Sequence, residues 1–420
     1  MVAAMNLLDG VRVLDLSRIL AGPWATQVLA DFGAEVIKIE RPGMGDDTRG
    51  WGPPFLKDAD GNDTAESAYY LCANRGKRSV AIDFTRPEGQ ALIRALAARC
   101  QVLVENYKVG GLAKYGLDYA SLRAVNPALV YCSITGYGQD GPYAQRAGYD
   151  AAIQAVGGLM SVTGEPDDAP GGGPQKVGVA ATDLMTGMYA ATAILAALRH
   201  AERSGQGQHI DLALLDTQVA WLANQASNWL VGGVVPDRQG TAHPNIVPYQ
   251  VMPAADGHFM LAVGNDAQFA RLCEVIGEPG LAADPRYASN AARVAHRAEL
   301  VPLLQQRLRT RPAAQWLDAL EKAVVPASPV NRIDQVFDDA QVQARGLRID
   351  LPHAGGGTVP MVRNPLRFSA TPLRYAQAAP VLGQHTAQVL DEVLAIDGSA
   401  FAVLQAAGVV QAAVPADSIR

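Results

Sequence analysis

The stretch GGGPQKVGVAATDLMTG, residues 171–187, brings two candidate chemistries close together. Three consecutive glycines near a lysine suggest a loop that could cradle a phosphate group. Asp183 is a lone carboxylate at the start of an apolar run, where it could be a plain helix N-cap or a nucleophile. As a nucleophile it would be kept ionised by the helix dipole and the free N–H groups of the first turn.

The triple glycine, Gly171–Gly173, fits neither of the phosphate-binding loops. A Walker loop needs G-x-x-x-x-G-K-[ST], and a dinucleotide loop needs G-x-G-x-x-G between a strand and a helix. These glycines stand in GEPDDAPGGGPQ, whose prolines and acidic residues are typical of a surface loop. The first strand–helix junction, LDLSRILAGPWA, also lacks the dinucleotide pattern, which argues against a nicotinamide-dependent dehydrogenase.

Basic residues near the ends of predicted strands are the other candidates for anion binding, although such clusters are more often solvated surface. Arg41 and Lys114 follow the carboxyl ends of strands, the edge at which parallel sheets bind ligands. Arg49 and Lys108 also lie just after predicted strands. The same argument disfavours the basic residues that precede a strand, namely Arg75, Lys77 and Arg78.

Other reaction classes are disfavoured by missing patterns and by composition. The seven histidines form no HxxxH or HxH pair, and no G-x-S-x-G occurs, so metal catalysis and a nucleophile-elbow hydrolase are not indicated. The net charge of −6 argues against nucleic acid as a partner. We see neither a secretory signal nor an uninterrupted apolar run long enough for a membrane span, and the four scattered cysteines fit buried thiols in a reducing, cytoplasmic compartment.

Strands and helices alternate through the first half of the chain, which predicts an α/β fold with a doubly wound, mainly parallel sheet. The predicted strands are residues 11–17, 35–40, 79–84, 101–107 and 129–138, with a helix over 86–100 between two of them. The helix before Glu35 should end at Gly33. A long helix made largely of small residues follows Asp183 and should stop at Gly205.

The length of 420 residues suggests two domains. We assign residues 1–205 to a large domain, 206–240 to a linker that includes a strand and a helix, and 241–331 to a smaller α+β domain. That smaller domain should contain a hairpin turning at Asp256-Gly257. Residues 332–420 would then lead back to complete the large domain, through an amphipathic helix near the C-terminus.

Several long blocks together resemble the class III (family III) CoA-transferases. These blocks are RVLDLSRILAGPWATQVLADFGAEVIKIERPGMGDDTR, NRGKRSVAIDF, VLVENY, YCSITGYGQDGPYAQRAGYD, GVAATDLMTGMYAA and LGQHTAQVLDEVL. They follow the family's order over nearly the whole chain. Within the family, ERPGMGDDTRGWGPPF, QRAGYDA and GTAHPNIVPYQ look most like the subgroup that moves CoA from succinyl-CoA to dicarboxylic acids such as glutarate or hydroxymethylglutarate.

The resemblance implies a fold and a set of site residues. Each protomer would have a Rossmann-like large domain and a small domain, and two protomers would form an interlocked homodimer. Asp183 matches the family's nucleophilic aspartate. The positions that match the family's CoA site are Leu20, Ala21, Arg41, Ile82, Asp83, Phe84, Thr85, Asn106, Tyr107, Lys108, Lys114, Ala147, Gly148, Tyr149 and Asp150. Residues 82–85 would hold the adenosine part.

The implied reaction passes CoA from an acyl-CoA donor to a carboxylic acid through an aspartyl–acyl anhydride and an aspartyl-CoA thioester, with no metal or prosthetic group. A dicarboxylate acceptor would also need a cation for its remote carboxylate, and Arg18, Arg146 and His243 are candidates that the sequence does not rank. The alternative within the family is a 2-methylacyl-CoA racemase. That enzyme has a histidine where this chain has Tyr149, which argues against it. The glycine loop of the formyl-CoA enzyme is also not matched, because the corresponding region here resembles TAHPNIVPY.

Overall fold

The computed structural model describes residues 6–58, 60–355 and 357–413. Its strands, in chain order, are β1 (Arg12–Asp15), β2 (Glu35–Glu40), β3 (Phe55–Lys57), β4 (Asp63–Ser67), β5 (Arg78–Ile82), β6 (Val102–Glu105), β7 (Val130–Thr135), β8 (His209–Ala213), β9 (Tyr249–Pro253), β10 (His258–Ala262), β11 (Ala327–Pro329), β12 (Arg348–Pro352), β13 (Thr358–Val362) and β14 (Val410–Gln411).

The α-helices, in chain order, are α1 (Ala21–Asp31), α2 (Ala68–Cys72), α3 (Pro87–Ala97), α4 (Tyr119–Val125), α5 (Asp150–Val156), α6 (Ala181–Ser204), α7 (Leu214–Ala220), α8 (Ala223–Gly232), α9 (Asp266–Val275), α10 (Gly280–Ala283), α11 (Asn290–Ala295), α12 (Arg297–Leu308), α13 (Ala313–Lys322), α14 (Ile333–Asp338), α15 (Ala340–Ala344), α16 (Thr386–Leu394) and α17 (Gly398–Ala406). Short 3₁₀ turns occupy Asp47–Gly50, Ala113–Tyr115 and Leu159–Val162.

A seven-stranded sheet with the order β14-β5-β2-β1-β6-β7-β8 is the centre of the larger part of the chain. Every pair in it is parallel except β14 with β5, so the prediction of a mainly parallel sheet is confirmed. The chain runs outward from β1 through β2 to β5, and then returns to build β6, β7 and β8 on the other side of β1. The order therefore reverses between β1 and β6, and such a switch point opens a crevice beyond the carboxyl ends of the strands.

Alternating apolar residues bury both faces of this sheet. Leu14, Ile37 and Leu103 belong to one apolar cluster, which includes residues of α3, α16 and α17. Their strand neighbours Val13, Val36 and Val102 belong to the second cluster, with residues of α1, α6 and α7. Because successive side chains of a strand point to opposite faces, a sheet covered by helices on both sides needs strands that are apolar at every position.

The described chain divides into two compact units, and the larger one comprises Met1–Gly158, Gly178–Ala223 and Gln343–Arg420. The second unit comprises Leu159–Val177 and Asn224–Val342. Its core lies between a three-stranded antiparallel sheet, β11-β10-β9, and helices α9 to α13. The hairpin of β9 and β10 turns through Asp256 and Gly257, as the sequence predicted.

Two segments group differently from the predicted domain boundaries. β8 was assigned to a linker, but it is the edge strand of the large sheet, because it pairs with β7 from Tyr131 to Thr135. Residues 159–177 were assigned to the large domain and group with the second unit. The triple glycine lies there in a loop without helix or strand, as predicted. The assignment of 241–331 as a separate folding domain stays a prediction.

Helix α6 is long and apolar enough to cross a membrane by length and composition alone. Half of its most apolar window is nevertheless buried inside the structure, against α1, α7 and β7. Gly187 allows the close approach to α1, since a Cβ there would lie 2.7 Å from the Ala21 carbonyl oxygen. Burial of this kind is what a core helix shows.

Candidate active site

A cavity of about 680 Å³ opens at the carboxyl edge of the large sheet. It is lined by the segments that follow β1, β2, β5, β6 and β7, and by Asp183 of α6. All of its lining residues belong to the larger unit. Since the strand order reverses between β1 and β6, the cavity lies where a doubly wound sheet is expected to bind its ligand.

The cavity brings together nearly all the residues singled out from the sequence. Asp183 lines it, and so do all the predicted CoA contacts except Asp150: Leu20, Ala21, Arg41, Ile82, Asp83, Phe84, Thr85, Asn106, Tyr107, Lys108, Lys114, Ala147, Gly148 and Tyr149. These residues are spread from position 20 to position 183 of the chain, so the fold assembles them from five strand ends and one helix. Their contacts with CoA stay predictions.

Cations at the cavity wall divide into paired and unpaired groups. Lys38 is fully buried and lies 2.8 Å from Asp46, and Arg18 lies 2.8 Å from Asp47. Within the described part of the chain, the exposed cations that line the cavity and form no ion pair are Arg41, Lys108, Lys114 and Arg146. Unpaired cations in a concave site suit a polyanionic ligand such as one that carries phosphates.

Three basic residues considered as phosphate ligands are committed elsewhere. Arg75 pairs with Asp31 at 2.6 Å, and Lys77 is fully buried at 3.1 Å from Asp15. Arg49 is also buried, between Glu40 and Glu66, each within 2.7 Å. Arg41 lines the cavity, whereas Arg49 does not. Arg49 instead stabilises the turn beneath the cavity.

Asp183 lies in the first turn of α6, and its carboxylate accepts no hydrogen bond from the described residues. Burial, and then the negative charge of Asp150, raise the pKa of Asp183 to about 7. This shift opposes the expected effect of the helix end, which would favour the ionised carboxylate. The N–H groups that would favour its charge are already used, because Thr182 and Asp183 donate theirs to Asp150.

The plain N-cap interpretation of Asp183 is also wrong. The N-cap position of α6 is Ala180, whose side chain cannot accept a hydrogen bond. Asp150, at the start of α5, supplies the acceptor: its Oδ1 lies 2.9 Å from the Thr182 nitrogen and 3.2 Å from the Asp183 nitrogen. Asp183 thus stands in the cavity wall with its carboxylate unused by the fold.

Two glycines set the backbone geometry beside the cavity. Gly136 follows β7 and Gly148 precedes α5, and both line the cavity. A Cβ on Gly136 would lie 2.6 Å from the Gly148 Cα, and one on Gly148 would lie 2.4 Å from the Gly136 Cα. The two backbones can pass this closely only without side chains, which fixes the path of residues 147–150 into α5.

Tyr69 of α2 is a neighbour of Asp183 that the sequence did not single out. Burial, followed by the charge of Asp183, raises the pKa of Tyr69 to about 12, so the phenol remains protonated. The ring packs edge-on against Trp51, with 5.2 Å between ring centres. No spacing or motif marks Tyr69 in SAYYLC, because the adjacent Tyr70 has the same type and is fully buried under Arg49.

Among the described residues, no group of three His, Cys, Asp or Glu side chains could hold a metal ion.

Comparisons with known proteins point in one direction. Residues 8–386 match the model of CoA-transferase family III. The chain is 55% identical to a succinate–glutarate CoA-transferase of Agrobacterium fabrum, over 94% of this chain and 97% of that protein. It is 45% identical to a succinyl-CoA:glutarate CoA-transferase of Homo sapiens, over 96% of this chain and 90% of that protein. A crystal structure of a CAIB/BAIF family protein from Brucella suis is similar at a TM-score of 0.81 and 51% identity, over 93% of this chain and all of that one.

Proposed function

This chain belongs to CoA-transferase family III, and from that premise we propose that it transfers CoA from succinyl-CoA to glutarate, with Asp183 as the nucleophile. The observation that carries the proposal is the setting of Asp183: a carboxylate with no hydrogen-bond partner in the described chain, in the wall of a cavity whose free cations suit CoA phosphates. The nucleophile must be a carboxylate, because only an acid can form first an anhydride and then a thioester with CoA. A serine hydroxyl would form an ester, and the transfer would stop there.

The transfer consists of four acyl exchanges. The Asp183 carboxylate attacks the thioester carbon of succinyl-CoA, the carbon–sulfur bond breaks, and an aspartyl–succinyl anhydride and a CoA thiolate form. The thiolate then attacks the aspartyl carbonyl, which releases succinate and leaves an aspartyl-CoA thioester. Glutarate attacks the thioester to form an aspartyl–glutaryl anhydride and thiolate. The thiolate finally attacks the glutaryl carbonyl, which gives glutaryl-CoA and restores the Asp183 carboxylate.

The cations of the cavity wall have a role in this scheme. Arg41, Lys108 and Lys114 follow β2 and β6, and they would hold the phosphates of CoA. Residues 82–85 would hold its adenosine part, beside a cluster in which the Phe84 ring packs against Tyr107 and Tyr115. Since both covalent intermediates hydrolyse readily, water must be kept from Asp183 during turnover. The interlocked homodimer implied by the family resemblance would serve that purpose.

Arg146 is the favoured cation for the remote carboxylate of the acceptor. Of the three candidates, His243 is not among the residues that line the cavity, and Arg18 is already paired with Asp47. Arg146 has no acidic partner among the described residues, and its guanidinium lies 3.8 Å from the centre of the Tyr143 ring. It also directly precedes residues 147–150, which lead to the contact of Asp150 with α6.

We expect Arg146→Gln to raise KM for glutarate by roughly tenfold or more, because a charged hydrogen bond to a carboxylate is worth about 1.5–3 kcal/mol. Monocarboxylic acceptors should be used as poorly by the variant as by the wild type. Arg123→Gln is the matched control, since Arg123 is an exposed arginine on α4 outside the cavity. An equal loss with both kinds of acceptor would exclude Arg146 as the ligand of the second carboxylate.

The proposed function is tested by supplying succinyl-CoA with a panel of dicarboxylic and monocarboxylic acids and identifying the CoA products by mass. Formation of glutaryl-CoA together with an equal amount of succinate supports it. If CoA is not transferred to any acid, and the enzyme instead exchanges the α-proton of a 2-methylacyl-CoA with deuterium from D₂O, the chain is a racemase and the proposal fails.

A further inference from the structure

The start of α6 is capped by a residue from another helix. In an ordinary N-cap, the side chain just before the helix accepts hydrogen bonds from the N–H groups of its second and third residues. In α6 those residues are Thr182 and Asp183, and the residue before the helix is Ala180. Asp150 accepts from both, at 2.9 and 3.2 Å, through a single carboxylate oxygen.

The capping carboxylate is itself held in place. Its other oxygen, Oδ2, accepts a hydrogen bond of 2.6 Å from the Gln154 side chain on the next turn of α5. The first turn of α6 is held from a second side as well, because the Thr182 hydroxyl donates to Gln218 of α7 at 2.6 Å. Asp183 therefore stands on a turn fixed by α5 and α7, while its own carboxylate remains free.

We propose that Asp150 is a positioning residue of the transfer reaction: it fixes the turn that carries Asp183. This rests on the proposed role of Asp183. It reassigns Asp150, which the sequence placed among the CoA contacts and which does not line the cavity.

The charge of Asp150 has a chemical consequence. In both the anhydride and the thioester, Asp183 is an uncharged acyl group. A neighbouring negative charge that penalises the free carboxylate therefore does not penalise either intermediate, and it favours formation of both. In the free enzyme, burial and this charge raise the pKa of Asp183 to about 7, so kcat/KM should rise with pH through that value as the carboxylate forms.

Among the described residues, Asp150 is the charged group that shifts the pKa of Asp183. The elements packed against α6 are α1, α5, α7, β7 and β8. On these elements and on α2, the titratable side chains other than Asp150 are Asp31, Tyr69, Tyr70, Cys72, Tyr131, Cys132, His209, Asp211 and Asp216. Asp31 is paired with Arg75 at the far end of α1, and Tyr69 is a neutral phenol.

Two substitutions separate the role of the cap from the effect of the charge. Asp150→Asn keeps an oxygen that can accept from both N–H groups but removes the charge. We expect the acidic limb of kcat/KM to move down by about one pH unit, and a smaller fraction of enzyme to carry the covalent CoA adduct at a fixed ratio of succinyl-CoA to succinate. Asp150→Ala removes the cap as well, and kcat should fall by roughly tenfold or more at every pH, while the Kd of CoA changes less than about twofold in both variants.

A thermal-stability measurement reports the same shift without any activity. In the wild-type background, Asp183→Asn should become stabilising as pH rises from about 4 to about 7, because over that range the unfolded chain releases the Asp183 proton while the folded chain, in which the pKa is raised to about 7, still holds it. The gain in Tm from Asp183→Asn should level off at a lower pH when Asp150→Asn is also present.

The outcomes are distinct. The role of Asp150 as a positioning residue is overturned if Asp150→Asn shifts neither the acidic limb of kcat/KM nor the pH dependence of the Tm gain from Asp183→Asn. It is also overturned if Asp150→Asn mainly raises the Kd of CoA. If the wild type transfers no CoA but the Tm pattern shifts as described, the proposed function fails and the coupling of Asp150 to Asp183 stands.

Discussion

Asp183→Asn is expected to lower kcat for CoA transfer at least about a thousandfold, with the Kd of CoA within about twofold of the wild type. The amide is nearly isosteric with the carboxylate but cannot attack a thioester carbon, so neither intermediate forms. The fold should tolerate the change, because no described residue depends on the Asp183 carboxylate for a hydrogen bond and its ionisation is already disfavoured by burial and Asp150.

The measurement is steady-state transfer from succinyl-CoA to glutarate beside calorimetric binding of CoA. Asp183→Ala is the second variant, since slow hydrolysis of an asparagine could restore activity in the first. Asp216→Asn is the control: Asp216 is an exposed carboxylate on α7 outside the cavity, and its variant should keep full activity. Near-normal turnover by Asp183→Ala would show that Asp183 is not the nucleophile.

Arg49→Met is expected to be among the most destabilising single substitutions in the larger unit. Arg49 is 5% exposed and donates to Glu40, Glu66, the Tyr70 hydroxyl and the Pro380 carbonyl. Burial would raise the pKa of Glu40, but Arg49 and Lys38 hold it below its usual value. Removing the guanidinium leaves two buried carboxylates without their counter-ion, which costs about 3–5 kcal/mol.

Chemical denaturation at two pH values measures this effect. The destabilisation should be smaller near pH 5 than near pH 8, because burial already raises the pKa of Glu66 to about 7 and the unpaired carboxyls can then take up protons. Adding Glu66→Gln to Arg49→Met should recover part of the loss. The exposed pair of Arg332 with Asp334 supplies the control, Arg332→Met, which should cost less than about 1 kcal/mol. Equal costs for the two arginine variants would refute the structural role given to Arg49.

The sequence pattern correctly predicted strands and helix ends that depend on a residue and its near neighbours in the chain. Glu35–Glu40 forms the predicted strand because its residues are buried on both faces, and the helix before it ends where Gly33 adopts a positive φ of 98°. The long helix after Asp183 likewise stops at Gly205, which has a φ of 70°. Each of these outcomes depends on a residue and its immediate neighbours.

Features that depend on distant partners were not predictable from pattern. Arg41 and Arg49 lie in one short segment, but one lines the cavity and the other is buried, because Glu66 and Pro380 reach Arg49 from far along the chain. The cap of α6 comes from Asp150, which is 33 positions from Asp183. The sequence gives one indirect signal for this cap. Ala180, the residue before the helix, has no side-chain acceptor, so the N–H groups of the first turn need an acceptor from elsewhere in the chain.

The most direct test of the central claim is covalent trapping on the enzyme. The wild type is incubated with succinyl-CoA, without an acceptor, quenched with hydroxylamine and digested, and its peptides are examined by mass spectrometry. Both the anhydride and the thioester should react with hydroxylamine at the aspartyl carbonyl, so a hydroxamate is predicted at Asp183 and at no other carboxyl, and only when succinyl-CoA was present. A hydroxamate at a different carboxyl, or none while the same enzyme preparation transfers CoA to glutarate, would contradict the account.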